Sequence, residues 1–128
     1  MGLATLSDVE VGRCVDGWRD VDGTLTNRVS HGDILVVDCS VPYDSEVTAR
    51  FDHPSTAAKY PASIQDAART GCAQLFAEYV GVDIAHSTLV ATLAYPSAAT
   101  WQSGDRSITC LASAATGELT TSVHGSRL

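Results

Sequence analysis

The sequence predicts an α+β fold in which one antiparallel sheet of about five to six strands packs against a single main helix and carries two disulfides. Three observations predict this class: short hydrophobic segments alternate with turns, only one segment has a clear helical period, and four cysteines come from separate parts of the chain. With 128 residues, of which 45% are hydrophobic and 18% charged, the chain has the size and apolar content of one domain.

The first half of the chain predicts three strands and one long loop. Residues 9–15 form a short hydrophobic segment, and residues 16–32 are polar and rich in Gly and Asp, which is typical of a surface loop or a long hairpin. Residues 33–39 are an almost continuous β-branched run, which indicates a buried strand. Residues 46–51 alternate outward and inward as a further strand, and we expect a hairpin with the preceding strand across Pro42.

Residues 62–80 predict the main helix. Its apolar side chains line one stripe, formed by Ala68, Cys72, Leu75, Phe76 and Tyr79. Cys72 is therefore expected to face the core. Ser63 with Asp66 predicts a weakened capping box, and Gly81 predicts a left-handed residue at the end of the helix.

The chain after the helix predicts three more strands, at residues 87–95, 106–112 and 119–123. A turn or short helical piece that carries Trp101 lies between the first two. Residues 9–123 are expected to form the domain, with 1–8 as a disordered or added N-terminus and 124–128 as a tail.

Composition excludes several classes of partner. The net charge of −7 and the pI near 4.7 repel phosphate groups, which argues against nucleic acid and anionic membrane surfaces. The longest apolar runs are far shorter than the roughly 20 residues that span a bilayer. The start of the chain also lacks the pattern of a secretory signal, so any membrane attachment is expected through a segment outside this sequence.

The four cysteines, Cys14, Cys39, Cys72 and Cys110, form no C-x-x-C pair and have no histidine at zinc-ligand spacing. An even number of dispersed cysteines in a small chain favours two disulfides and an oxidising compartment. Four buried free thiols are the alternative.

Several motifs lie in one order along almost the whole chain: Gly12-Arg13-Cys14, residues 36–42, Ser45-Glu46-Val47, residues 76–81 after Cys72, Pro96, and Trp101-x-x-Gly104-Asp105-Arg106 before Cys110. Together they resemble the septum formation family, a domain of actinobacterial envelope proteins that often lies beyond a membrane anchor. The family usually carries His after the proline, in Pro-His-x-x-Glu, where this chain has Tyr43.

The resemblance implies a non-catalytic extracytoplasmic domain of a cell-envelope or cell-division protein, which binds a protein or a cell-wall component. For the disulfides we expect Cys14 with Cys39, because they lie on neighbouring strands. We expect Cys72 with Cys110, because that bond ties the core face of the helix to the sheet.

Residues 20–25, Asp-Val-Asp-Gly-Thr-Leu, spell the nucleophile motif of haloacid-dehalogenase-type phosphatases. They follow no buried parallel strand, and Lys59 is the only lysine, so a surface turn is expected instead. The same carboxylates lack the full pattern of a calcium loop. The alternative function is a small enzyme or ligand-binding protein with a pocket under the 16–32 loop, lined by Trp18, Asp20 and Asp22.

Two further groups are candidate binding residues. Tyr43, Asp44 and Glu46 flank the strand break, and the side chain of Tyr43 is expected to be exposed to a partner. Trp101 is expected to cover the core, while either Asp105 or Arg106 closes the turn and the other pairs with a carboxylate such as Glu46. No spacing joins the histidines His31, His53, His86 and His124, so we expect no catalytic residue, metal or cofactor.

Overall fold

The computed structural model describes residues 2–5, 8–16, 28–29, 33–55, 58–115 and 117–128. The strands of this part are β1 (Gly2–Thr5), β2 (Cys14–Asp16), β3 (Arg28–Val29), β4 (Asp33–Val37), β5 (Ser45–Asp52), β6 (Leu89–Tyr95) and β7 (Ser107–Ala114). The helices are α1 (Ile64–Val80) and α2 (Ala98–Gln102), and Ile84–His86 form a 3₁₀ turn.

All seven described strands form one sheet in the order β1-β4-β2-β5-β7-β6-β3. Every pairing is antiparallel except the short parallel contact of β3 with β6. Helix α1 packs on one face of the sheet, against β5, β6 and β7. The predicted α+β class, with a largely antiparallel sheet, one main helix and two disulfides, is confirmed.

Helix α1 buries the predicted stripe. Ala68, Cys72 and Phe76 are buried, and Cys72 faces the sheet as expected. Gly81 ends the helix with φ 96°, in the left-handed region that glycine favours. The predicted capping box is wrong, because the backbone of Ser63 is not extended and its side chain makes no capping hydrogen bond.

The predicted hairpin between the second and third strands is wrong. Strand β2 lies between β4 and β5, and Cys14 pairs with Val37 on one side and with Glu46 on the other. Strand β2, which precedes the long loop, thus occupies the position beside β4 that the predicted hairpin gave to β5. The strand predicted at residues 119–123 is reduced to one bridge, between Tyr43 and Leu119.

Both chain ends differ from the prediction. Strand β1 pairs with β4 from Gly2↔Val36 to Thr5↔Asp33, so residues assigned to a disordered terminus extend the sheet. At the other end, the N–H of Gly125 donates to the carbonyl of Tyr79, and that of Arg127 to the carbonyl of Val80. The expected tail therefore covers the end of α1 by satisfying two of its last carbonyl groups.

The two predicted disulfides are confirmed. Cys14–Cys39 ties β2 to the residue shortly after β4, with a Cα–Cα distance of 5.3 Å. Cys72–Cys110 ties α1 to β7, with a Cα–Cα distance of 5.4 Å. Among the described helices, none is long and apolar enough to cross a membrane.

Candidate functional site

A buried carboxylate, Glu46, is the centre of the most concentrated polar cluster in the described part of the chain. Glu46 lies at the start of β5 and is fully buried. One oxygen, Oε1, accepts hydrogen bonds from Val123 N at 2.9 Å and from Tyr43 Oη at 3.0 Å. The other, Oε2, accepts from Ser122 Oγ at 2.8 Å and from the hydroxyl of Tyr79.

A β-bulge explains why Glu46 faces the core. The register of β5 with β7 shifts between Val47 and Ala49. The extra residue reverses the alternation of side chains, so that Glu46 lies on the same face as Ala49, the face that packs against α1. Strict alternation predicted the opposite orientation for Glu46.

The four donors come from segments that are far apart in sequence. Tyr43 precedes β5, Tyr79 lies in the last turn of α1, and residues 122–123 belong to the C-terminal segment. An ionised carboxylate has about four acceptor positions, which these donors fill. Glu46 therefore joins sheet, helix and C-terminal segment through hydrogen bonds to a charged group, the stronger kind.

The prediction that Tyr43 is exposed is wrong. Its residue is fully buried. Its single hydroxyl proton faces two acceptors, Thr121 O at 2.6 Å and Glu46 Oε1 at 3.0 Å. Asp44 is also buried, at 7% exposure, and Glu46 is not available to an external partner either.

The Tyr43–Glu46 bond gives a physical reason for the Pro-x-x-x-Glu spacing. Position 43 places a hydrogen-bonding side chain against the carboxylate three residues later. A histidine, which also carries an N–H donor, suits the same place. The departure from the His pattern at position 43 thus keeps a donor beside Glu46.

Burial and the nearby carboxylate shift the pKa values of both tyrosines in the same direction. Burial first, and then the Glu46 carboxylate, raise the pKa of Tyr43 far above its usual range. Burial and the hydrogen bond to Glu46 do the same to the pKa of Tyr79. Both hydroxyls therefore stay protonated, as donors, at neutral pH.

The Cys14–Cys39 disulfide lies against this cluster, with Cys14 Sγ 3.5 Å from Glu46 Oε1. Ligand atoms of Cys14, Cys39 and Glu46 lie within 4.8 Å of one another, a spacing that could hold a metal ion. A metal ion requires thiolates, however, and both sulfurs are bound to each other. In the oxidised domain the Cys14–Cys39 disulfide is therefore a covalent brace that packs against the Glu46 carboxylate.

The second predicted group is a packed aromatic cluster. Trp101 is 1% exposed, which confirms that it covers the core. The guanidinium of Arg106 lies 3.6 Å from the centre of the indole ring, and its Nη1 donates to Trp101 O at 2.7 Å. His53 and Tyr60 meet the ring edge to face, at centroid distances of 5.4 and 6.0 Å.

The two charged residues beside Trp101 have local roles. Asp105 closes the turn, since its Oδ1 accepts from Ser107 N and Ser107 Oγ. The suggested pairing of Arg106 with Glu46 is wrong, because Arg106 donates to backbone carbonyls near Trp101 and Glu46 is occupied elsewhere. Asp105 and Arg106 are half-buried, and a contact with a partner stays a prediction for both.

The alternative pocket under the 16–32 loop rests on Trp18, Asp20 and Asp22, which lie outside the described residues. Asp16, at the start of this loop, is described. Its Oδ1 accepts from the N–H of Asp44 at 2.8 Å, and burial together with the Asp44 carboxylate raises the pKa of Asp16. Asp16 thus orders the strand break before β5.

Sequence reasoning did not identify Tyr79 and Ser122 as partners of Glu46. Tyr79 was assigned to the apolar stripe of the helix, where its ring does lie, but its hydroxyl required a polar group nearby. That requirement is the one signal in the sequence that could have pointed to a buried acceptor. Ser122 carries no such signal, because it lies in irregular backbone.

Comparison with protein-family models matches residues 10–110 to the model described as septum formation. No curated protein and no solved structure matches the chain.

Proposed function

The chain belongs to the septum formation family, because the family model covers most of its length, and on this premise we propose that it is a non-catalytic extracytoplasmic domain that binds a protein or a cell-wall component. Family membership indicates a role in cell division or in the envelope. What we propose beyond family membership is that the domain lies outside the cytoplasm and that it acts by binding.

The observation that carries the proposal is the pair of disulfides. Each joins two different elements, β2 to the segment after β4 and α1 to β7, so both act on the tertiary fold. Disulfides of this kind form and persist outside the cytoplasm in most bacteria. Together with the family, they support folding on the outer side of the membrane.

The polar side chains of the cluster form hydrogen bonds within the fold, which supports a binding role over a catalytic one. Glu46, Tyr43 and Tyr79 bond one another or the backbone inside the fold, where a substrate does not reach Glu46 or Tyr43. Their hydrogen bonds hold segments together, which is a structural task. Recognition then falls to surface residues and to clefts between elements.

Cysteine labelling in intact cells tests the compartment. Gln65→Cys places a thiol on an exposed position of α1, whereas Ala68→Cys places one at a fully buried position of the same helix. In the natural full-length protein, a membrane-impermeant maleimide should label the first variant in intact cells and leave the second unlabelled. Labelling of Gln65→Cys only after lysis contradicts the proposed placement.

Cell-wall sedimentation and crosslinking test the binding role. The purified oxidised domain should co-sediment with isolated cell wall or crosslink to a defined envelope protein in cells. A domain that is labelled from outside and does neither has the proposed location without the proposed activity.

A further inference from the structure

A cavity of about 390 Å³ lies between helix α1 and strand β6. Arg69, Cys72 and Ala73 line it from the helix, Ile84 from the 3₁₀ turn, and residues 89–93 from the strand. Its volume falls within the range of sites that hold small ligands. None of the candidate residues taken from the sequence, apart from the disulfide cysteine Cys72, lines it.

The described lining is mostly apolar, with Thr92 and Arg69 as its polar residues. Leu89, Ala91 and Leu93 project to the helix side of the sheet, where they pack in the core with α1. Cys72 adds a disulfide sulfur, which is itself weakly polar. Such walls favour a hydrocarbon chain, since they contribute burial and few hydrogen bonds.

Arg69 supplies the only cation of the described lining. Its side chain is 57% exposed and lies 3.6 Å from Asp66, whose side chain is 81% exposed. Exposed ion pairs of this kind contribute little, so an anionic group on a ligand can replace Asp66 at small cost. A ligand with one negative end and an apolar body therefore matches both parts of the cavity.

An extended peptide fits less well. A peptide added to a sheet edge depends on backbone groups that the edge offers. Ala94 and Tyr95 already pair with β3, the N–H of Leu89 is bonded to Ser87 Oγ, and Thr92 and Leu93 take part in further interactions. Only a short stretch of β6 remains for a new strand.

The geometry points to a binding site for a single anionic amphiphile, such as a fatty acid, with its chain between α1 and β6 and its carboxylate beside Arg69. The site takes a dispersed lipid molecule rather than a bilayer surface, because the ligand lies in a cavity of about 390 Å³ and a protein with net charge −7 is repelled by an extended anionic surface. This inference rests on the proposed binding role and names a class of ligand for it.

Calorimetric titration of the purified oxidised domain with octanoate, decanoate and dodecanoate, each below its micelle concentration, tests the site. Affinity should rise about fourfold for each added CH₂ while the chain still fits. Arg69→Gln should weaken decanoate binding roughly twofold to fivefold and leave binding of decanol unchanged.

Two tryptophan variants on the same helix provide the matched control. Ala73 lines the cavity, whereas Ala67 is exposed and does not line it. Ala73→Trp should fill the space and weaken decanoate binding at least tenfold, and Ala67→Trp should bind as the wild type does. If Ala73→Trp does not fold, Ile84→Gln places a polar group in the same wall and should weaken binding without filling it.

Equal binding by the two tryptophan variants, or no saturable binding of any chain, overturns the site. Co-sedimentation with phosphatidylglycerol vesicles without binding of decanoate also overturns it, since the surface would then contact a membrane. The titration uses purified protein and does not depend on the compartment. Its failure therefore leaves the proposed envelope function in place, and failed surface labelling leaves the cavity untouched.

Discussion

At the scale of single residues, Glu46 connects three separate segments, because its two oxygens accept hydrogen bonds from donors in each of them. Glu46→Gln keeps the shape of the side chain but removes its charge. It also replaces one acceptor oxygen with an NH₂ group, a donor that would face the donors now bonded to that oxygen. We expect the free energy of unfolding to fall by about 2 to 3 kcal/mol, measured by urea denaturation. Glu78→Gln, at an exposed position of α1, should stay within about 0.5 kcal/mol of the wild type.

The outcome that would count against this role is equal stability of the two variants. The hydrogen bonds at Glu46 would then be geometrically present but energetically replaceable by the amide. A large loss for Glu78→Gln would instead show that the helix responds to any change of charge.

The tyrosines of the cluster predict a dependence of stability on alkaline pH. In the folded state the pKa values of Tyr43 and Tyr79 lie above the value of about 10 that they have when unfolded. Their contribution is therefore complete below pH 10 and is lost as pH rises above 10, because the unfolded chain releases these protons first. Urea denaturation from pH 8 to 11 should show this decline, and it should be shallower in Tyr79→Phe. An equally steep decline in that variant contradicts the assignment.

Two threonines with different surroundings predict opposite effects of the same substitution. Thr109 is fully buried, and among the described residues its Oγ1 has no hydrogen-bond partner. Thr109→Val should therefore raise the free energy of unfolding by about 1 kcal/mol, because it removes a desolvated hydroxyl. Thr48 Oγ1 donates to Cys110 O at 3.3 Å, and Thr48→Val should lower stability by about 1 kcal/mol. The same sign for both variants in thermal or urea unfolding contradicts this account.

Among the elements, helix α1 lies close to the sheet at Gly71. A Cβ at this position would lie 2.5 Å from Cζ of Phe51 on β5. Gly71→Ala improves helix propensity by about 1 kcal/mol, yet the contact with the ring should outweigh that gain and lower stability by about 1 to 2 kcal/mol net.

The smaller side chain of Phe51→Leu provides the control. In that background Gly71→Ala should be neutral or stabilising, because the clash is gone and the propensity gain remains. A loss of equal size in both backgrounds, measured by thermal unfolding, would locate the strain elsewhere.

The elements also show which parts of the fold the sequence could predict. The helix follows from a 3.6-residue pattern, and β4 from its β-branched run, because both signals are local. The position of β2 between β4 and β5 is set by pairing across the long loop, which no local pattern records. The bulge between Val47 and Ala49 is likewise not recorded in any local pattern. Its one extra residue turns the side chain of Glu46 inward, so that an acid expected at the surface becomes the centre of the buried cluster.

At the scale of the whole molecule, the disulfides were predictable from few assumptions. Cys14–Cys39 required only that two successive predicted strands be neighbours, and Cys72–Cys110 required only the core face of α1. The burial of the aromatic residues was not equally predictable from the sequence. Trp101 is buried as expected, whereas Tyr43, expected at the surface because it flanks the strand break, is buried as well. Its burial depends on Glu46 and Thr121, which are brought to it by the tertiary fold.

The central claim, that this member of the septum formation family folds and acts outside the cytoplasm, is tested most directly by the state of its cysteines in cells. Intact cells are treated with a membrane-permeant alkylating agent that blocks free thiols, and the purified protein is digested without reduction for mass mapping. The account predicts peptides that link Cys14 to Cys39 and Cys72 to Cys110, with no cysteine alkylated. Four alkylated cysteines in protein taken from growing cells would contradict it.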